Sequence, residues 1–573
     1  MKNKAFFLFL AFFCIFLLLV GTFFFLKKEP VEESFSSLKQ VKLDLSDESI
    51  AWENFKSFEV ELKEDLEINE EGIYHLKGTL IDGGITINTK GYVKLIFDGV
   101  SIKNSKGPAL MILDSKTVVL ELVENTSNYL EDGKSYIDLD EEVKGCIYSK
   151  SDFVIEGLGT LEIKANYKDG MVSKDDLKIN NGTIIIESND DGIRGKDSIY
   201  ILNGNFNIKS KGDSFKTTND ALDEKGFIYI KNGNFTIDSR QDGFNAIKKL
   251  IIEQGQFLIT TGGGSLTKNE KEEQFEGMFW NPSMDNKNNS SSKSTKGLKA
   301  GTDLIIESGQ FKIDSLDDSI HSNGTIAILE GNFELSSSDD GIHADSEIQI
   351  KNGNIDIQKS YEGIESGQIT IDGGVITVFS TDDGINVAGG KDGSSLNRPG
   401  ANTFKQNSNS RLIVNNGTIY VHASGDGIDV NGSAYVNGGN IVVEGPTDNG
   451  NGALDYDGEF VVTGGSLLAL GSSGMAQGIS SNSKQYGFIS YLSKTYPKGT
   501  KIAIYQSDEQ LITEFSSTKE FSNLVYSSEA LRKEDSYVLK INDEKIETFT
   551  IQSVMTQLGE KRKDKESMKG PRR

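Results

Sequence analysis

The stretch DDGIHADSEIQIKNGNIDIQKSYEGI, residues 339–364, holds one complete repeat and the opening of the next. Its Asp339-Asp340-Gly341-Ile342 and Glu362-Gly363-Ile364 are the same corner, one step apart. Between them, Glu347-Ile348-Gln349-Ile350-Lys351 and Asn354-Ile355-Asp356-Ile357-Gln358 alternate polar and apolar residues around Asn352-Gly353. Alternation with period two makes a strand with one buried face, so Ile348, Ile350, Ile355 and Ile357 are predicted to point inward.

Working outward, the acidic corner recurs as Asp190-Asp191-Gly192-Ile193, Asp317-Asp318-Ser319-Ile320 and Asp382-Asp383-Gly384-Ile385. Looser copies stand at Asp169-Gly170-Met171, Asp213-Ser214-Phe215, Asp242-Gly243-Phe244 and Asp426-Gly427-Ile428. The third residue advances by 22 positions from Gly170 to Gly192 to Ser214, and again from Ser319 to Gly341 to Gly363. A second corner keeps step with it at Asn181-Gly182, Asn203-Gly204, Asn232-Gly233 and Asn416-Gly417. Three short strands per repeat and no helical run of useful length define an all-β solenoid, a parallel β-helix whose coils stack at about 4.8 Å. A right-handed sense is expected from the strong bias of parallel crossovers.

Composition agrees, with 61 Gly against 7 Pro and an apolar fraction of 36%. The net charge of −25 argues against nucleic acid, which needs a basic face. Two cysteines, Cys14 and Cys146, supply no disulfide framework. Residues 5–26 carry no charge and are flanked by Lys2, Lys4, Lys27 and Lys28. As a helix they span roughly 33 Å, enough for a membrane core, and with no small-residue cleavage site they read as an uncleaved transmembrane anchor.

The expected organisation is an anchor over 1–28, a polar lead-in over 29–70, the parallel β-helix over 71–483, a small C-terminal β unit over 484–552 and a charged, disordered tail over 553–573. Two stretches break the repeat and read as surface loops, Gly263 to Lys296 and Gly389 to Asn409. Trp280, in the first, reads as a cover over loop backbone, with a sugar-stacking platform as the alternative.

The acidic corner carries the chemistry. Asp and Gly form turns anyway, yet the other corner turns repeatedly with neutral Asn-Gly. Stacking brings successive carboxylates to about 4.8 Å, where repulsion is about 1 kcal/mol in water and several-fold more at a protein surface. No Lys or Arg adjoins Asp339-Asp340 or Asp382-Asp383 in the chain, and a calcium ion taking six to eight oxygens fits, with solvent counterions as the alternative. The candidate Ca2+ ligands are Asp190, Asp191, Asp317, Asp318, Asp339, Asp340, Asp382, Asp383 and Asp426. His321 and His343 stand one repeat apart and are predicted to stack as a surface ladder of partly exposed imidazoles. The competing reading, a transition-metal pair, lacks an apparent third nitrogen or sulfur ligand.

The run of Asp-Asp-Gly-Ile coils, the return at Lys296-Gly297-Leu298-Lys299-Ala300 and the stretch Gly384-Ile385-Asn386-Val387-Ala388-Gly389-Gly390-Lys391-Asp392-Gly393-Ser394-Ser395 resemble the bacterial carbohydrate-binding proteins that are calcium-containing right-handed β-helices. The resemblance covers about residues 70 to 552 and departs from the pattern at Glu362, Ser214 and Ser319. It implies an exported, non-catalytic, calcium-assisted binder of acidic polysaccharide such as polygalacturonate, or of cellulose. The body is expected to be extracellular, either held at the cell membrane by residues 5–26 or secreted, and monomeric. Two other classes compete. A pectate lyase or polygalacturonase shares the architecture but needs a strong base or a proton donor beside the carboxylates. A structural spacer or adhesin needs only the stacked coils.

Overall fold

A computed structural model describes residues 50–265, 293–388 and 409–561. The anchor segment, Trp280 and most of both insertions lie outside the described residues. Among the described residues no helix is long and apolar enough to cross a membrane.

Each coil contributes three strands, and each strand pairs in parallel with its counterpart one coil on. The first face carries the short strands after the acidic corner, with Ile193–Gly195 on Phe215–Thr217 and Leu298–Ala300 on Ile320–Ser322. The second runs through Ser198–Ile201 and Phe227–Ile230, and the third through Thr183–Ser188, Asn205–Ser210 and Asn234–Ser239. The predicted inward set holds: Ile348, Ile350, Ile355 and Ile357 are fully buried. Phe206, Phe235, Phe257, Phe311 and Phe333 stack face to face inside the third face, with centroids 4.8, 4.7, 4.6 and 4.7 Å apart. Those distances are the coil spacing itself.

The two corners need glycine for different reasons. At Gly341 an added Cβ would lie 2.7 Å from the carbonyl oxygen of Gly363 and 2.8 Å from Ile357. Close approach of adjacent coils excludes a side chain there. Gly331, in the other corner, has φ +133°, and a Cβ would lie 2.9 Å from the Phe333 ring. Gly331→Ala is therefore expected to lower the unfolding free energy by about 1–3 kcal/mol, measured by urea denaturation.

Parallel pairing already begins at Ser57–Leu62, which lies on Gly72–Leu80. Winding therefore starts inside the stretch assigned to the lead-in. Glu59 and Glu61 face outward and give that stretch its acidic composition, while Leu62 is buried. At the other end, Ser466–Gly471 pairs antiparallel with Phe521–Ser528, the first reversal of the sheet. Gly487–Tyr496 joins the same sheet with Met555–Leu558, so ordered structure runs past residue 553. Lys501–Gln506, Leu511–Ser516, Ser536–Ile541 and Glu544–Thr550 form a separate four-stranded antiparallel sheet. Phe488, Phe521, Leu524, Leu539 and Ile541 give this end a core of its own.

Candidate metal centre

The second carboxylate of each acidic corner enters a single column. In most coils one of its oxygens is structural, because it accepts the backbone N–H of the next coil; Asp340 Oδ1 is an exception, with no such partner among the described residues. Asp169 Oδ1 accepts from Asp191 N at 3.1 Å, Asp191 from Asp213 at 2.9 Å, Asp213 from Asp242 at 2.9 Å and Asp318 from Asp340 at 3.1 Å. Asp383 Oδ1 likewise accepts from Asp426 N at 2.6 Å, and Asp426 Oδ1 from Gly452 N at 2.5 Å. A neutral Asn could serve that role. The second oxygen therefore needs its own account.

That oxygen faces a neighbouring column, three residues further along the chain. In register it runs Arg194, Lys216, Asn245, Lys299, His321, His343, Glu365, Asn386, Asp429, Asp455. The sign of charge reverses along it. In the earlier coils the chain supplies its own cations. Arg194 pairs with Asp191 and lies 3.2 Å from Asp169. Lys216 is 2.7 Å from Asp213, and Lys299 is 3.3 Å from Asp242. Lys296 takes the place of the corner aspartate itself, buried, with Nζ 2.9 Å from Asp317 and 2.5 Å from Asp318. Burial alone would raise the Asp318 carboxyl, but Lys296 and His321 more than reverse this and hold it well below the usual range.

The histidines do stack, with centroids 5.0 Å apart and rings 10° from parallel. They are not partly exposed, however: His321 is 2% and His343 1% accessible. Each ring is drawn in by the carboxylate three residues before it, at 2.7 Å for Asp318 and 3.1 Å for Asp340.

Along this column no Lys, Arg or His follows His343 among the described residues. Asp383, Asp426 and Asp429 each present an oxygen, all within 4.8 Å of one another. Among the described residues no Lys, Arg or His pairs with any of the three. Burial, then Asp382, Asp426 and Asp429, push the Asp383 carboxyl up to about 9. Burial and neighbouring carboxylates raise Asp426 to about 6 and Asp429 to about 7. Such a set of oxygens suits a hard divalent cation.

The structure thus brings Asp191, Asp318, Asp340, Asp383 and Asp426 of the predicted set into one column. Asp190, Asp317, Asp339 and Asp382 stand one residue earlier at the corner. Asp191, Asp317 and Asp318 are met by the chain's own bases, and Asp340 by His343. Sequence reasoning missed Glu365, Asp429 and Asp455. Reading the repeats column by column exposes them, since the position after the corner isoleucine is polar in coil after coil.

Architecture and column together define a parallel solenoid repeat protein with an acid-lined edge. Residues 63–341 match the model of a family described as carbohydrate-binding domain-containing protein, which bears out the resemblance seen in the motifs. A curated carbohydrate-binding domain-containing protein of Acetivibrio thermocellus is 33% identical over 129 residues, 22% of this chain and 45% of the relative. The chain thus spans less than half the length of that relative. A solved polysaccharide lyase-like protein from C. thermocellum, a gadolinium derivative, is similar at 27% identity and TM-score 0.35, covering 36% of this chain and 91% of that one.

Proposed function

We propose that this protein is a non-catalytic, calcium-assisted binder of acidic polysaccharide, exported and tethered through residues 5–26. The observation that carries this is the base-free triad Asp383, Asp426 and Asp429. The family match lends support for a glycan ligand, although it ends before the triad. On the face after the acidic corner, parallel pairing continues coil by coil from the matched residues into the coils of Asp383 and Asp429. The triad's three carboxylates would hold the calcium, which would supply positive charge and open coordination positions for uronate carboxylates or sugar hydroxyls that those carboxylates otherwise repel. Cleavage by a lyase route would need a strong base beside the ion. Among the described residues Arg194 is engaged with Asp169 and Asp191 instead, and no arginine pairs with the triad.

The test is retention of the full-length protein on immobilised polygalacturonate, and on cellulose, in calcium and then in chelator. Calcium-dependent retention on polygalacturonate with the polymer left intact is expected. Unsaturated, shortened products would establish a lyase instead, and indifference to both sugars would leave a structural spacer.

A further inference from the structure

We infer that Asp340, His343 and Glu365 form a second metal centre of a different class, selective for a first-row divalent ion of the zinc type. This inference does not depend on the calcium reading. The three residues are buried, and their ligand atoms lie within 4.8 Å of one another. His343 Nδ1 is 3.1 Å from Asp340 Oδ2 and 2.8 Å from Glu365 Oε2. Around a tetrahedral ion with bonds of about 2.0–2.2 Å, donor atoms stand roughly 3.3–3.6 Å apart, so these three would open by a few tenths of an ångström to hold one.

Three further observations point to an ion. Asp340 is 1% accessible, yet its Oδ1 has no hydrogen-bond partner among the described residues. A buried carboxylate oxygen left in that state is costly, and a cation relieves it. On the far side of the ring, His343 Nε2 lies 3.4 Å from Asp345 Oδ1. Metal-bound imidazoles characteristically direct the other ring nitrogen at a carboxylate. The third observation is charge. At His321, one coil earlier, Asp317 and Asp318 are balanced by Lys296 together with the ring. At His343 no Lys or Arg pairs with Asp340 among the described residues, and the ring is its ion-pair partner. The nitrogen donor decides the class: calcium takes oxygen, while imidazole suits zinc and its neighbours.

The test uses the full-length protein, stripped of metal by chelator, and Co2+ as the spectroscopic probe. A saturable visible absorption band is expected, displaced by Zn2+ and unaltered by excess Ca2+ or by Asp383→Asn. It should weaken at least about tenfold in both His343→Gln and Glu365→Gln, with the fold of each confirmed by circular dichroism. The glutamine at 365 removes a like charge from the cluster, so this variant keeps the test open if His343→Gln fails to fold. Absence of a band, a band that survives both substitutions, or one abolished by calcium overturns the inference. Calcium's own failure to bind would leave it untouched.

Discussion

Replacing Lys296 by alanine is expected to cost about 3–5 kcal/mol of folding stability in chelator, the usual penalty for breaking a buried ion pair from one side. Its ammonium lies within hydrogen-bond reach of both Asp317 and Asp318, and all three residues are buried. Removing it leaves two desolvated carboxylates and only His321 against them. Calcium should return part of the loss, because Asp317, Asp318 and Asp339 already place oxygens within 4.8 Å of one another. Urea unfolding in chelator and in calcium measures both effects. A loss below about 1 kcal/mol would mean that Lys296 is not the column's internal cation.

Asp383→Asn should have opposite effects with and without calcium. In the parent, the folded Asp383 carboxyl is raised to about 9, against an unfolded value of about 3.9. Between those values the folded state holds a proton that the unfolded state has released. Without calcium, stability therefore falls as pH rises through this window and is lowest above it. Asparagine keeps an oxygen for the Asp426 N–H and removes the charge. Thermal unfolding in chelator at mildly alkaline pH should thus show the variant more stable than the parent. In calcium the order should invert, with ion affinity at least about tenfold weaker and polygalacturonate retention lost with it. If the variant is less stable under both conditions, the carboxylate acts only as a turn former.

Much of the fold was legible because a period of 22 writes each structural decision many times. Ile348 and Ile357 point inward as their alternation requires, and the Asn-Gly corners take the positive φ that glycine permits, as at Gly182 and Gly353. Composition misled at the start of the solenoid, where Glu59 and Glu61 obscured a strand whose inward residues are apolar. The carboxylate column was legible too, as one recurring position. Its compensation was not, because Arg194 and Lys216 lie three residues from their partners along the chain and meet them only when the corner folds back. Local inspection of Asp382-Asp383 and of Asp317-Asp318 looks alike. Stacking alone reveals that Lys296 serves the second pair and that Asp429 joins the first.

Anomalous diffraction from crystals of this protein grown in calcium addresses the charge reversal along the column most directly. A peak among Asp383, Asp426 and Asp429, with none beside Lys296 or Arg194, is the expected map. Calcium seated beside those bases, with the triad bare under saturating ion, would contradict it.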